Sequence, residues 1–247
     1  MGLAPALFLI GTAFLTATLS GIFGMAGGLV LMGALALILP VSAAFVTHGL
    51  LQLISNGWRA FLQREHIIWS IIGWYALSSA LAALVVSLLA VNLSKPVLFL
   101  MLGLVAMLVW LPKTWTQLDA SRPLHAFVSG FLVTLTNLMA GVAGPLLDIF
   151  FVRTALTRHQ IVATKAATQV FSHGAKIAVY GGFALRLGEH GVPPAWVFAL
   201  AIPASMAGTA LGGLVLDRMS DVGFKRWTAW IVTAVGLVYL VRAGVSW

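Results

Sequence analysis

The sequence predicts an all-α polytopic membrane protein, and three observations carry that reading. Of its 247 residues, 61% are apolar and 8% are charged, against about 45–50% and about 25% in an average soluble domain. Mean hydropathy is +1.04, leaving too little polar side chain to cover a soluble surface. The apolar residues also fall in continuous runs near the roughly 20 residues a bilayer-crossing helix needs. They do not form the short alternating segments of a β-barrel. The formal charge of +8 is scattered singly between these runs, so no basic tract exists for nucleic acid. Cys is absent, which excludes disulfides, thiolate metal sites and thiol redox work.

Ten apolar helical segments follow in order. The first, Leu3–Ser20, has no basic region ahead of it and passes straight into more membrane sequence. It reads as a retained helix, not a cleaved signal. The next four are Gly27–Leu39, Ser42–Leu62, Ile67–Leu89 and Pro96–Leu111. The remaining five are Leu124–Leu138, Pro145–Leu156, Gln160–Leu185, Ala195–Leu216 and Phe224–Val241. Breaks fall at Pro40, at Gln63-Arg-Glu-His66 and at Val192-Pro-Pro194, where ring constraints or charge interrupt a helix. Trp58, Trp69, Trp110, Trp115, Trp196, Trp227 and Trp247 sit near segment ends, as interfacial anchors do. Pro112–Pro123 is the one sizeable polar connection. The expected organisation is therefore a membrane repeat over 1–112, a connecting loop over 113–123 and a second repeat over 124–247.

A shift of 117 residues superposes Gly24–Arg59 on Gly141–Lys176 without a gap, with nine of 36 positions identical. Apolar bias alone supplies Leu and Ala matches. It does not readily supply Thr47/Thr164, Gln52/Gln169, Ser55/Ser172 and Gly57/Gly174 in one register. After an insertion around Arg186–Gly191, a shift of 127 continues the match at Trp69/Trp196 and Ser78/Ser205. The chain is an internal duplication of a five-segment unit, a construction common among secondary transporters. Charge then orients it. If the glycine turns reverse the chain, Arg64, Lys113, Arg122, Arg153, Arg158, Arg218, Lys225 and Arg226 share one side, against Lys95, Arg186 and Arg242, or 8 against 3. If the glycines only kink a continuous span, the count is 6 against 5. The positive-inside rule favours the reversals. Five reversals per half make the repeats inverted, with 8–10 transmembrane helices, Gly-turn hairpins and both termini outside the cytoplasm.

The turn Gly24-Met-Ala-Gly-Gly28 resembles the glycine-rich first-repeat signature of the TauE/SafE sulfite exporter family, also called the toluene sulfonate uptake permease family. Gly141-Val-Ala-Gly-Pro145, followed by Val162-Ala-Thr-Lys-Ala166, resembles its second repeat. Pro145 stands where a third glycine is common, and the third segment carries unusual polar replacements. The resemblance implies an inner-membrane carrier of small anions, often sulfur-containing, such as sulfite, sulfonates or sulfoacetate. It does not name the substrate.

The polar residues read independently toward an anion. His48, Gln52, Asn56 and Arg59 recur at steps of four, four and three, along one helix face about 16 Å long. The equivalent face of the eighth segment carries Lys165, Gln169, His173 and Lys176. A charge at bilayer depth costs roughly 2.5–3.5 kcal/mol on insertion scales, so such groups turn inward to partners. Acids are scarce, which leaves an anionic ligand as a partner. The competing reading is that Arg59 and Lys176 snorkel to the interface and that Gln52 and Gln169 bond helix to helix. Gly27, Gly28 and Gly144 each precede a short helix whose first N–H groups are free to face an anion; they read equally as tight turns. Thr47 and Thr164 follow these turns at equal spacing, and all these residues form the candidate substrate site. Asp148, opposite Leu31 in the alignment, is either a proton-coupling group or the ion-pair partner of Lys165 or Lys176. His48 and His173 could shuttle protons or simply pack.

Three function classes remain. The favoured one is a secondary carrier of a small anion, with the bilayer and its substrate as partners and a homo-oligomer as an option. A passive anion channel or a membrane scaffold is the alternative. An enzyme is disfavoured, since neither HExxH nor GxSxG nor a carboxylate pair occurs. No GxxxxGK[ST] motif is present for primary pumping. No cofactor is expected, and two histidines with few acids make a poor metal cage.

Overall fold

The computed structural model describes residues 1–23, 26–89, 94–111, 118–151, 154–187, 191–216, 218 and 221–246. Gly24 and Met25 of the first glycine turn, Lys113 and Trp115 of the connection, Arg153 and Trp247 lie outside them. Within the described residues the regular structure is helical: α1 (Leu3–Phe23), α2 (Ala26–Ile38), α3 (Val41–Leu62), α4 (Trp69–Leu89), α5 (Lys95–Met107), α6 (Pro123–Ala140), α7 (Gly144–Phe151), α8 (Arg158–Leu187), α9 (Ala195–Leu216) and α10 (Asp221–Ser246). By length and composition α1, α4, α6 and α9 can each cross a membrane. The exposed Trp69, Trp110, Trp196 and Trp227 near helix ends match the placement of interfacial aromatics.

Local chemistry sets the boundaries that matter for the site. Pro40, in an extended conformation, opens α3, and the Gln63 N–H closes it on Arg59 O and Phe61 O. Gly141 ends α6 with φ 77°, a left-handed conformation that glycine adopts without a Cβ penalty. The seventh segment is shorter than the apolar run Pro145–Leu156 suggests: its described helix is Gly144–Phe151, and residues 154–157 are not helical. A reciprocal cap opens α8: the Thr157 N–H donates to Gln160 Oε1 at 3.0 Å and the Gln160 N–H to Thr157 Oγ1 at 3.3 Å. That Thr-x-x-Gln box starts a new helix. At 1.5 Å per residue, α2 rises about 20 Å and α7 about 12 Å, both short of the roughly 30 Å hydrocarbon core.

Four helix pairs dominate the packing: α1 with α9, α3 with α8, α4 with α6 and α5 with α10. Small residues let the first pair touch backbone to backbone. A Cβ on Gly212 would lie 2.7 Å from Gly21 Cα, the close approach that small-residue stripes allow between apolar helices. Because Gly208 faces Phe14 and Thr18 while Gly212 faces Gly21, α1 and α9 run parallel. So do α4 and α6, where Gly130 meets Tyr75 and Thr134 Oγ1 donates to Ser79 Oγ at 2.8 Å. The other two pairs are antiparallel. Gly49 faces Ile177 while Gly57 faces Val170, and Gly103 faces Leu240 while Trp110 Nε1 donates to Thr233 Oγ1 at 2.7 Å. One apolar core surrounds α2, with Leu29, Leu31, Met32 and Leu35 at its centre. A second lies beside α7, around Leu147, Phe150 and Phe151.

Candidate functional site

The short helices and the antiparallel α3–α8 pair enclose a cleft. Its walls are Ser20 of α1, Gly28 of α2, His48, Gln52, Asn56 and Arg59 of α3, Val142 and Ala143 of the turn before α7, Gly144 and Leu147 of α7, and Val162, Lys165, Ala166, Gln169 and His173 of α8. It encloses about 80 Å³, room for a few waters or one small ion when one water takes roughly 10–15 Å³. All four polar residues of the α3 stripe face it, as do three of the four on α8.

The hydrogen bonds divide these groups into engaged and unengaged. Asn56 Nδ2 donates to Gln52 O at 2.9 Å and to Gln52 Oε1 at 3.1 Å, one turn earlier on the same helix. His48 Nε2 stands 3.0 Å from Gly28 O. Lys165 Nζ donates to Asp148 Oδ1 in an ion pair that is partly exposed at both ends. The sequence alone leaves this pairing open between Lys165 and Lys176, and the fold pairs Asp148 with Lys165. In contrast, Arg59 Nη2 and Gln169 Nε2 are buried with no hydrogen-bond partner. Both are donors. An unmet buried donor costs about 1–3 kcal/mol, more when charged. An acceptor reaching them would remove that cost. Two helix starts reinforce this, since Gly28 and Gly144 bring the first turns of α2 and α7 to its wall with their free N–H ends and partial positive charge.

Five of the residues singled out by sequence do not line the cleft. Gly27 lies where α2 crosses α1, against Thr16 and Ser20. Thr47 is wholly buried outside the cleft. Thr164 Oγ1 accepts the Ile68 N–H at 3.0 Å, holding the entrance of α4. Asp148 stands behind Lys165. Lys176 is fully buried, with Nζ 2.5 Å from Gly141 O and 3.1 Å from His48 Nδ1. Sequence reasoning missed Ser20 in the wall and Asn137, whose Nδ2 is 3.5 Å from His173 Nδ1. The two are 117 residues apart, so continuing the repeat alignment four positions upstream of Gly24 finds both.

The Lys165–Asp148 pair carries a stability prediction. Removing one member of a buried pair costs 3–5 kcal/mol, and side-chain exposures of 23% and 30% reduce that here. Asp148→Asn is expected to lower the melting temperature in detergent by several degrees, at about 2–4 °C per kcal/mol for a chain of this size. Adding Lys165→Gln should restore most of it. An unchanged single variant would mean the pair contributes nothing.

A model of the family described as Sulfite exporter TauE/SafE matches residues 9–239 of the chain. No curated protein and no solved structure matches it.

Proposed function

Because the chain belongs to the sulfite exporter TauE/SafE family, a family of membrane transporters, we propose that it is a secondary carrier of one small anion, a sulfur-containing oxyanion or organosulfonate. The observation that carries this reading is the pair of buried, unpartnered donors, Arg59 Nη2 and Gln169 Nε2, on two residues that line one small cleft. A guanidinium offers its fork of N–H groups to an oxyanion in fixed geometry. Lys165, Gln52, Asn56, His48 and His173, with the helix starts at Gly28 and Gly144, complete the anion's surroundings.

Alternating access follows from the architecture we infer: repeats over 1–112 and 124–247, related by a twofold axis in the membrane plane. Exchanging α1 with α6, α2 with α7, and so on to α5 with α10, turns the α1–α9 pair into the α6–α4 pair. It maps α3–α8 and α5–α10 onto themselves. The antiparallel course of those two self-paired contacts supports inversion, since four reversals per half would leave them parallel. Arg64 and Arg218 then face the cytoplasm, both termini face the periplasm, and α2 and α7 are short helices that enter from opposite sides. The cell inner membrane is the setting this implies.

Counterflow tests the reading. Proteoliposomes preloaded with unlabelled sulfite, thiosulfate or sulfoacetate should accumulate the labelled anion saturably and faster than empty ones. Flux that neither saturates nor responds to the opposite side would indicate a channel. A reporter fused after Trp247 should read as periplasmic, and a cytoplasmic signal would overturn the inversion.

A further inference from the structure

One hydrogen-bonded chain crosses the interface between the halves and touches both glycine turns. His48 Nε2 lies 3.0 Å from Gly28 O. A carbonyl only accepts, so Nε2 carries the ring proton and Nδ1 keeps its lone pair. Lys176 Nζ donates to that Nδ1 at 3.1 Å and to Gly141 O at 2.5 Å. The chain thus runs from the first turn of α2, through an imidazole of α3 and an amine of α8, to the residue that ends α6 just before α7.

The amine's setting is unusual. Lys176 is 0% exposed, and an ammonium taken out of water costs several kcal/mol unless compensated. Its compensation here is a carbonyl, an imidazole and the Phe45 ring, whose centroid is 5.3 Å from Nζ. Among the residues whose side chains are described, the carboxylates are elsewhere: Asp148 on Lys165, Asp119 on Ser121 ahead of α6, and Glu65 exposed after α3. On α8 the His173 ring stands edge-on to His48 at 5.5 Å, and the Tyr180 hydroxyl donates to Leu138 O at 2.6 Å. On α10 the Tyr239 hydroxyl donates to Leu29 O at 2.7 Å. Arg59 is three turns away along α3, and His125 is at the distant start of α6.

We propose that His48 and Lys176 together form a proton-binding site that couples anion movement to proton movement. As it stands, one proton on Nζ bridges the pair. A second proton on His48 Nδ1 removes the lone pair that Lys176 uses and sets two cations against each other. The link between the α2 start and the α6–α7 turn then opens. Those two segments wall the cleft, so an anion arriving there supplies the negative charge that offsets the added proton. One proton and one anion load together and leave together. This rests on the anion reading of the cleft, and it makes Lys176 a positioning and proton-holding residue, not a ligand of the anion.

The test uses the full chain in proteoliposomes containing a pH-sensitive dye, with sulfite, thiosulfate and sulfoacetate each applied as a gradient and protein-free vesicles subtracted. Net uptake by the wild type should acidify the lumen. Lys176→Gln, which removes an ammonium lacking a carboxylate, should keep anion-for-anion exchange within about threefold of wild type and lose acidification at least tenfold. His48→Gln, which keeps an N–H for Gly28 O but cannot titrate, should also lose acidification. Acidification at the wild-type proton-to-anion ratio in either variant overturns the proton site and leaves the carrier reading standing. So does a wild type that takes up anion without acidifying. A wild type that exchanges none of the anions overturns both. If Lys176→Gln fails to fold, the wild type and His48→Gln decide.

Discussion

Replacing Arg59 with Gln is expected to cut anion flux at limiting concentration by about 30-fold or more while leaving the melting temperature unchanged or higher. The two halves of that expectation have one cause. Arg59 lines the cleft and its Nη2 is buried without a partner, an unmet cost. When an oxyanion arrives it becomes a charge-assisted hydrogen bond, and truncating one partner of such a buried contact costs 2–5 kcal/mol. At 1.4 kcal/mol per decade, the low end of that range is about 30-fold. Flux in vesicles and a melt in detergent measure the two halves separately. Unchanged flux would mean the guanidinium merely reaches for the interface. A large fall in melting temperature would mean Arg59 is a structural residue.

Gly27→Leu is expected to yield no folded protein, and Gly27→Ala to lower the melting temperature by about 6 °C or more. A Cβ at residue 27 would press on Thr16 O and lie 2.6 Å from Ser20 N, both backbone atoms of α1. Helix backbone cannot yield as a side chain can, so the cost passes the usual 1–3 kcal/mol of overpacking. At 2–4 °C per kcal/mol, 3 kcal/mol gives that fall. Its neighbour behaves differently. A Cβ on Gly28 would stand 3.5 Å from the Gln52 amide, an ordinary contact. Gly28→Ala should therefore fold normally and only narrow the cleft. Size-exclusion profiles and melts of the two variants decide this, and equal behaviour would contradict the assigned crossing of α1 and α2.

Much of this was legible in the residues, because helical period and duplication are both properties of one dimension. Steps of four, four and three along α3 place His48, Gln52, Asn56 and Arg59 on one face. The 117-residue shift points to its partner on α8, and the two helices do pack on each other. What the pattern could not carry was the destination of a side chain met by another element. Thr164 looks like the twin of Thr47, yet its hydroxyl is claimed by the Ile68 N–H. Lys176 is aligned with Arg59, yet the α6–α7 turn offers it the Gly141 carbonyl and draws it behind the cleft. The 117-residue shift sets Leu31 opposite Asp148, so the alignment could not choose between Lys165 and Lys176. The start of α8 was readable in principle: Thr157 and Gln160 spell a capping box just ahead of the eighth segment.

A small-anion site built around Arg59 can be read out by melting the detergent-solubilised protein against sulfite, sulfate, thiosulfate, sulfoacetate, taurine, small carboxylates and chloride. A ligand at 100 times its dissociation constant adds about 2.7 kcal/mol, which at 2–4 °C per kcal/mol is a rise of roughly 5 °C or more. One or a few of the sulfur oxyanions should give such a rise, saturating with concentration and absent in Arg59→Gln. A rise of equal size in Arg59→Gln, or none with any anion in the panel, would contradict that site.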